Sequence, residues 1–238
     1  MHNGSASLVL ASLLSLAQHT ASADSPAPPP NAPSGRLLFP TDGPPAAWQV
    51  RNWTDVSQAA PPGATWLVKD DVLHGSLTRG TWLVSDREYG DFRLEYEFKL
   101  AEKGNSGFGF RFPAKGIPSY EGLELQMVDP QFFGTNYQAQ PLELTGAIYK
   151  GIAPTSQTYR PLQWNSCVVT CTGSKLTVQL NGTQVIDADL ATLPAPVFRG
   201  RPLANRPRRG HIGFQETSRG PGRVEIRNAR ILDLDPAQ

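Results

Sequence analysis

The segment Phe92–Lys99, which reads FRLEYEFK, is the strongest constraint on the fold. Its apolar side chains, Phe92, Leu94, Tyr96 and Phe98, alternate with charged ones. This period of two predicts a β-strand with one face in a core and the other facing solvent. The chain contains 22 Gly and 22 Pro, and no segment keeps a helical period for three turns. We therefore expect a nearly all-β protein.

Turn signals indicate how the strands connect. Asn181-Gly182 separates the strand-like segments Leu176–Leu180 and Gln184–Ile186, and this dipeptide favours a two-residue hairpin with positive φ at both central residues. About 200 residues follow the N-terminal region, a length that suits one large domain over residues 37–235. The prediction is an all-β, two-sheet antiparallel β-sandwich of the jelly-roll type, because an immunoglobulin-like arrangement needs fewer residues.

The N-terminal region predicts export. Residues 1–23 contain no Asp, Glu, Lys or Arg, and Leu8–Ala17 forms a short apolar core before the small-x-small site Ala21-Ser22-Ala23. That core is too short to span a bilayer, which takes about 20 residues. Residues 24–36 are a Pro-rich linker. We expect a signal peptide over residues 1–23 and a periplasmic or secreted protein without a membrane span.

Composition and motifs exclude several function classes. The net charge is +1, so the overall charge does not indicate nucleic acid as a partner. Neither a phosphate-binding loop nor a nucleophile elbow is present in the sequence, and we expect no nucleotide or organic cofactor.

Two strand-like segments carry polar residues that suggest a binding face. In Ser119–Asp129, Glu124 and Gln126 share the face opposite the apolar residues. In Gly104–Arg111, Arg111 points away from the apolar face. A carboxylate, an amide and a guanidinium on one sheet surface would suit a polyhydroxylated ligand. A solvated outer face with an Arg–Glu ion pair explains the same pattern.

The order of the motifs resembles the 3-keto-disaccharide hydrolase family from about Leu37 to Leu234. These motifs are GTWLVSDREYGDF (Gly80–Phe92), GNSGFGFR (Gly104–Arg111), GLELQMVD (Gly122–Asp129), TGAIY (Thr145–Tyr149), Trp164-Asn165, LNGTQVIDAD (Leu180–Asp189), GHIGFQ (Gly210–Gln215) and VEIRNARI (Val224–Ile231). The resemblance implies a concanavalin-A-like sandwich that cleaves glycosides whose sugar carries a C3 ketone. It also implies a carbohydrate substrate and an upstream sugar 3-dehydrogenase that makes the ketone.

Such chemistry assigns expected roles to the motif residues. A C3 ketone acidifies the C2 proton, so elimination needs a base, a donor to the leaving oxygen and positive charge near the enolate. We expect Glu124 as the base, Arg111 as the oxyanion stabiliser and Asp129 as an acid, although Asp129 shares the Glu124 face only if a bulge resets the strand. The resemblance also implies a possible divalent cation, with Glu124 and Asp129 as its ligands. The residues expected to bind substrate are Asn105, Gln126, Tyr149, Trp164 and Gln215.

Two alternatives remain open. Many relatives carry His where this chain has Thr145, and a different sequence where it has Gln215-Glu216-Thr217-Ser218. A non-catalytic lectin-like module would use aromatic rings such as Trp82 and Tyr120 to stack on sugars. A conventional retaining glucanase would place Glu124 and Asp129 about 5–5.5 Å apart.

Overall fold

The computed structural model describes Met1, residues 35–193 and residues 201–235. The contacts assign Pro33–Gln238 to one compact unit. Apart from Met1, the predicted signal peptide lies outside the described residues, and so does the predicted linker up to residue 34. No helix in the described ranges is long and apolar enough to cross a membrane.

Strands make up nearly all of the regular structure. They are β1 (Arg36–Leu37), β2 (Trp48–Asn52), β3 (Leu67–Lys69), β4 (Val72–His74), β5 (Thr81–Tyr89), β6 (Phe92–Lys99), β7 (Asn105–Phe112), β8 (Leu123–Val128), β9 (Asn165–Thr172), β10 (Lys175–Leu180), β11 (Thr183–Asp189), β12 (Gly210–Glu216) and β13 (Glu225–Asp233). One α-helical turn, α1 (Pro118–Glu121), precedes β8, and short 3-10 turns occupy Pro130–Phe133, Pro141–Glu143 and Leu203–Asn205.

The strands form two antiparallel sheets. The larger has the order β11-β10-β9-β6-β13-β4-β3, with β1 also paired to β13, and the smaller has the order β2-β5-β12-β7-β8. The predicted all-β, two-sheet sandwich is thereby confirmed. The predicted inward side chains of β6 are all buried against the smaller sheet, as the contact of Phe92 with Phe108 and Phe110 shows.

Two sequence signals correspond to local backbone features. Asn181 and Gly182 have φ of 51° and 79° and join β10 to β11, as the hairpin signal predicted. In β13 the register shifts between Arg227 and Arg230, which accounts for the change of phase in that segment. A third irregularity lies in β7 opposite β12, where Arg111 has a φ of 54°, and it determines where the Arg111 side chain points.

Candidate functional site

One face of the smaller sheet, turned away from the main apolar core, carries a group of polar side chains that are buried or, for Asn105, half-buried. We call it the polar face, and its members are Trp82, Asn105, Glu124, Gln126 and Gln215. Strand pairing brings them together, because Trp82 pairs with Gln215, Gln215 with Gly107, and Gly107 with Gln126. Residues paired across antiparallel strands lie on the same side of the sheet. Glu124 and Gln126 therefore share a face, as predicted.

Glycines of β7 let these side chains converge. A Cβ on Gly107 would overlap Oε1 of Glu124, so the Glu124 carboxyl lies across β7 at that position. A Cβ on Gly109 would lie 2.8 Å from the ring of Trp82. The carboxyl and the indole thus approach each other over a strip of sheet that has no side chains of its own.

Three polar atoms of this face are buried without a hydrogen-bond partner among the described residues. They are Nε1 of Trp82, Oδ1 of Asn105 and Oε1 of Gln126. Oε1 of Gln215, in contrast, accepts a 2.9 Å hydrogen bond from the Thr217 hydroxyl. Buried polar groups are normally hydrogen-bonded, and leaving one unpaired costs about 1–3 kcal/mol. One donor and two acceptors on one face are suited to the hydroxyl groups of a ligand.

Glu124 is the acid–base group of the face. It is 3% exposed, and burial raises the pKa of its carboxyl to about 7, while the Ser119 hydroxyl acts in the opposite direction. A carboxyl whose pKa is close to neutral can take up and return a proton under ordinary conditions. This property distinguishes Glu124 from an ordinary surface carboxylate.

Two tyrosines lie beside the carboxyl. The backbone N–H of Tyr149 donates to the Glu124 carbonyl oxygen at 2.8 Å, and the ring centroids of Tyr149 and Tyr120 are 6.3 Å apart. Burial raises the pKa of Tyr149, and nearby Tyr120 and Glu124 raise it further. The Tyr149 hydroxyl therefore stays protonated near neutral pH, and a hydrogen bond with the Tyr120 hydroxyl contributes to this rise in pKa.

A buried arginine supports this corner of the site. Nη1 of Arg206 donates to the carbonyl oxygens of Ser119 at 2.9 Å and Gly122 at 2.6 Å, at the two ends of α1. Burial lowers the pKa of Arg206 to about 10, so it remains charged at neutral pH. Arg206 thus holds the turn that carries Ser119, whose hydroxyl hydrogen-bonds the Glu124 carboxyl.

Arg111 does not belong to the polar face, so the prediction that it lies beside Glu124 is wrong. The bulge in β7 turns its fully buried side chain toward the loops that end β5 and β9. There it donates to the carbonyl oxygens of Gly90 at 2.8 Å and Gly173 at 2.7 Å, and it pairs with Asp91 at 2.9 Å. With its guanidinium fully engaged, Arg111 ties together loops of the two sheets.

Asp129 also lies apart from Glu124. Strand β8 pairs with β7 without a register shift, so no bulge resets the phase, and five residues of strand separate the two Cα atoms by roughly 16 Å. Oδ1 of Asp129 instead accepts from the backbone N–H of Gln131 at 3.0 Å at the start of a 3-10 turn. The expected acid role next to Glu124 therefore has no geometric support.

The same separation decides the fit of a divalent cation. Carboxylates that share a Ca²⁺ or Mg²⁺ ion lie within about 2–2.6 Å of it, which Glu124 and Asp129 cannot do together. Within residues 35–193 and 201–235, no three His, Cys, Asp or Glu side chains cluster closely enough to hold a metal ion. The pair of carboxylates therefore does not fit a shared divalent cation.

The remaining expected substrate residues divide between two locations. Asn105, Gln126 and Gln215 are on the polar face, and Tyr149 is beside it. Trp164 instead directly precedes β9 of the larger sheet, and the Lys99 ammonium and the Arg227 guanidinium lie 5.0 and 4.1 Å from its ring centroid. Lys99 and Arg227 are outward residues of β6 and β13, so the prediction that Trp164 belongs to the site is wrong.

Sequence patterns gave only part of the site. Trp82 and Tyr120 were indicated as stacking rings, but Ser119 and Arg206 were not indicated. The strip of β7 without side chains does have a sequence signal, the alternate glycines Gly107 and Gly109, since glycine in a strand often marks the close approach of another group. Arg206 contacts α1 across more than eighty residues of sequence, and no local pattern reports such a contact.

Comparisons with known proteins identify what the fold and site resemble. Residues 37–232 match the family model described as a 3-keto-alpha-glucoside-1,2-lyase-like domain. Two solved structures of provisionally named glycosyl hydrolases from Parabacteroides distasonis ATCC 8503 are similar. One is 23% identical, with a TM-score of 0.63, covering 78% of this chain and 100% of the other. The second is 21% identical, with a TM-score of 0.68, covering 85% and 95%. At these identities the likeness shows the fold. No protein among the curated sequences matches the chain.

Proposed function

Because the chain belongs to the 3-keto-alpha-glucoside-1,2-lyase-like family, a family of glycoside-cleaving proteins, we propose that it breaks the glycosidic bond of 3-keto-glycosides. The observation that supports this proposal most is Glu124, a buried carboxyl with a pKa of about 7 on a face with unpartnered polar atoms. A base of this strength suits removal of a proton next to a ketone.

The first half of the reaction is an elimination. The Glu124 carboxylate takes the C2 proton, and the electron pair of that bond forms an enolate whose charge rests on the C3 oxygen. The enolate then expels the glycosidic oxygen with the C1–O electron pair, which leaves a double bond between C1 and C2. Glu124 passes its proton to the departing oxygen, so the alcohol leaves neutral and the carboxylate is restored.

The second half is a hydration. The Glu124 carboxylate takes a proton from water, the oxygen of that water adds to C1, and the proton is delivered to C2. The sum of both halves is hydrolysis to the free 3-keto sugar and an alcohol. One group with a pKa near neutrality serves both directions, so no second carboxyl is needed.

Neighbouring groups supply binding and charge stabilisation. In this proposal the protonated Tyr149 hydroxyl turns from Tyr120 to the substrate and hydrogen-bonds the developing charge on the C3 oxygen, because Arg111 is bonded elsewhere. Such a donor in a buried site stabilises the transition state more than it would in water. The unpartnered atoms of Trp82, Asn105 and Gln126 bind the other sugar hydroxyls.

The experiment is a panel of 3-keto-glycosides and the same glycosides without the ketone. We expect release of the alcohol from the keto compounds alone, with kcat/KM rising with pH up to about 7 because Glu124 acts as a carboxylate. Release from the unoxidised glycosides would indicate a conventional glycosidase and contradict the proposal.

A second candidate is a sugar-binding module without turnover. Thr145, at the position where many relatives have His, is engaged with the backbone, since its hydroxyl accepts from the Val128 N–H and donates to the Val128 carbonyl, both at 2.7 Å. It therefore offers no free acid–base group. Saturable binding of a glycoside with no release from any 3-keto compound would select this candidate.

We also propose where the reaction takes place. The apolar N-terminal segment and the cleavage site after Ala23 support export to the periplasm or the medium. Since the substrate must carry a C3 ketone, a sugar 3-dehydrogenase acts before this protein in the same reaction sequence.

A further inference from the structure

A cavity of about 150 Å³ lies at the far end of β8 from Glu124. Val128, the last residue of β8, lines it and alternates onto the same face as Glu124 and Gln126. Val128 is also paired with Asn105 of the polar face across the strand ladder. Two residues of strand, roughly 7 Å, separate Gln126 from Val128. The cavity is therefore the next space along the sheet from the sugar-binding groups.

The walls of the cavity are aromatic and held in place. Phe133 and Tyr137 stack with centroids 5.5 Å apart and planes inclined by 27°. The Tyr137 hydroxyl donates to Glu143 at 2.7 Å, and Lys150 donates to the same carboxylate at 2.5 Å. Cavities of this volume lined by apolar groups accept one benzene-sized ring. The space thus fits a single six-membered ring against a fixed aromatic wall.

One buried polar atom of the wall is not engaged. Thr145 is committed to the Val128 backbone and Tyr137 to Glu143, whereas the Tyr159 hydroxyl is buried without a partner in the described part of the chain. The Leu162 backbone lies near that hydroxyl without completing a hydrogen bond. Burial and the charge of Asp129 raise the pKa of Tyr159, so its hydroxyl remains a donor.

Gln157 also lines the cavity, but its side chain is exposed. A sugar ring in this space would bury several hydroxyls with the Tyr159 hydroxyl as the one buried, unpaired group among the described residues of the wall, which is unfavourable. An aromatic aglycone with a single hydroxyl substituent would leave none unpaired. We infer that the cavity binds the leaving group and that the preferred substrates are aryl glycosides, with the aromatic ring against Phe133 and Tyr137 and a hydroxyl substituent of that ring hydrogen-bonded to Tyr159. This inference rests on the proposed function, because a leaving group exists only if the glycosidic bond breaks.

The preference can be measured without turnover. Phenyl α-glucoside and methyl α-glucoside lack the C3 ketone, and calorimetric titration compares their affinities for the full protein. We expect phenyl α-glucoside to bind at least about tenfold more tightly, as burial of an aromatic ring provides. Tyr159→Phe keeps the ring but removes the donor. We expect it to weaken binding of 4-hydroxyphenyl α-glucoside about threefold to tenfold, and binding of phenyl α-glucoside, which has no ring hydroxyl, not at all.

A matched pair of variants tests the location. Ala139 lines the cavity and its neighbour Gln138 is exposed outside it. Ala139→Phe fills the cavity and should abolish the phenyl preference, whereas Gln138→Phe adds the same ring on the same loop and should retain it. Equal affinity of the two glucosides for the wild-type protein, or a preference that survives Ala139→Phe, would overturn the inference. Maltose binding as tightly as phenyl α-glucoside would also overturn it, since a second sugar would then fit the cavity.

Kinetics separates this inference from the proposed function. Cleavage of the 3-keto forms of both glucosides with equal kcat/KM would overturn the aryl preference and leave the proposed function standing. A phenyl preference in binding, lost in Ala139→Phe but accompanied by no cleavage of any 3-keto-glycoside, would refute the proposed function alone.

Discussion

Glu124→Gln should change how the stability of the protein depends on pH. In the folded chain the pKa of Glu124 is about 7, because burial disfavours the charged carboxylate, against an ordinary value of 4.5. A folded pKa raised above the unfolded value stabilises the protein fully below the unfolded pKa, and this contribution is lost as pH rises through the folded pKa. Glutamine has a similar shape and does not titrate, so the variant lacks this dependence.

The magnitude follows from proton linkage. Compared with a carboxyl whose pKa is the same in the folded and unfolded chain, the raised pKa of Glu124 lowers the free energy of unfolding by about 0.8 kcal/mol at pH 5 and about 3.3 kcal/mol at pH 8. The difference in unfolding free energy between Glu124→Gln and wild type should therefore shift by about 2.5 kcal/mol in favour of the variant from pH 5 to pH 8. For a domain of this size, that gain corresponds to a relative rise in Tm of about 5–10 °C.

Urea unfolding followed by tryptophan fluorescence at pH 5 and pH 8 measures this difference. The other titrating groups are common to both proteins and cancel in the comparison. The control is Glu102→Gln, which makes the same change at an exposed carboxyl in the turn between β6 and β7, and it should not reproduce the gain of about 2.5 kcal/mol expected for Glu124→Gln. If the difference between wild type and Glu124→Gln were also independent of pH, the account of Glu124 as a buried, nearly neutral acid would be refuted.

Three other outcomes are expected. Arg111→Ala leaves Asp91 and two carbonyl oxygens without their hydrogen-bond donor, so it should lower the free energy of unfolding in urea by about 3–5 kcal/mol. The folded fraction should keep its kcat/KM, and normal stability with lost turnover would restore the catalytic role of Arg111. Gln126→Met removes a buried acceptor that has no partner, so Tm should be unchanged or higher. Calorimetric titration should show the affinity for a glucoside falling about tenfold. A clear drop in Tm would mean that the Gln126 amide is hydrogen-bonded within the protein. N-terminal sequencing of exported protein should begin at Asp24, and a start at Met1 would contradict the signal peptide.

The sequence predicted the features that depend on local periodicity. Alternation in β6 reported which side chains enter the core, because neighbouring residues of a strand point to opposite faces. The same rule placed Glu124 and Gln126 on one face of β8. The Asn181-Gly182 turn was equally local, since it depends on the backbone freedom of two residues.

Features that depend on a break in the period, or on distant contacts, were not predicted correctly. Alternation along β7 predicts that Arg111 points to the same face as Glu124, but the bulge there inserts a residue and reverses the direction of the Arg111 side chain. Trp164 lies at the start of β9 in the other sheet, and a motif order along the chain does not indicate which sheet a residue joins. The depth of Glu124, and hence its pKa, depends on α1 and on the segment around Tyr149, which close over the end of β8.

Incorporation of deuterium from the solvent shows whether cleavage begins with removal of the C2 proton. The enzyme is given a 3-keto-glycoside in D₂O, and the released 3-keto sugar is examined by NMR at an early time point, against a sample of the same sugar incubated without protein. We expect one deuterium at C2 of the product. In Glu124→Gln we expect the rate of product formation to be lowered about 10²–10⁴-fold. A product that retains the original hydrogen at C2 would show that the bond breaks without C2 proton abstraction, and near-normal turnover by folded Glu124→Gln would show that another group is the base.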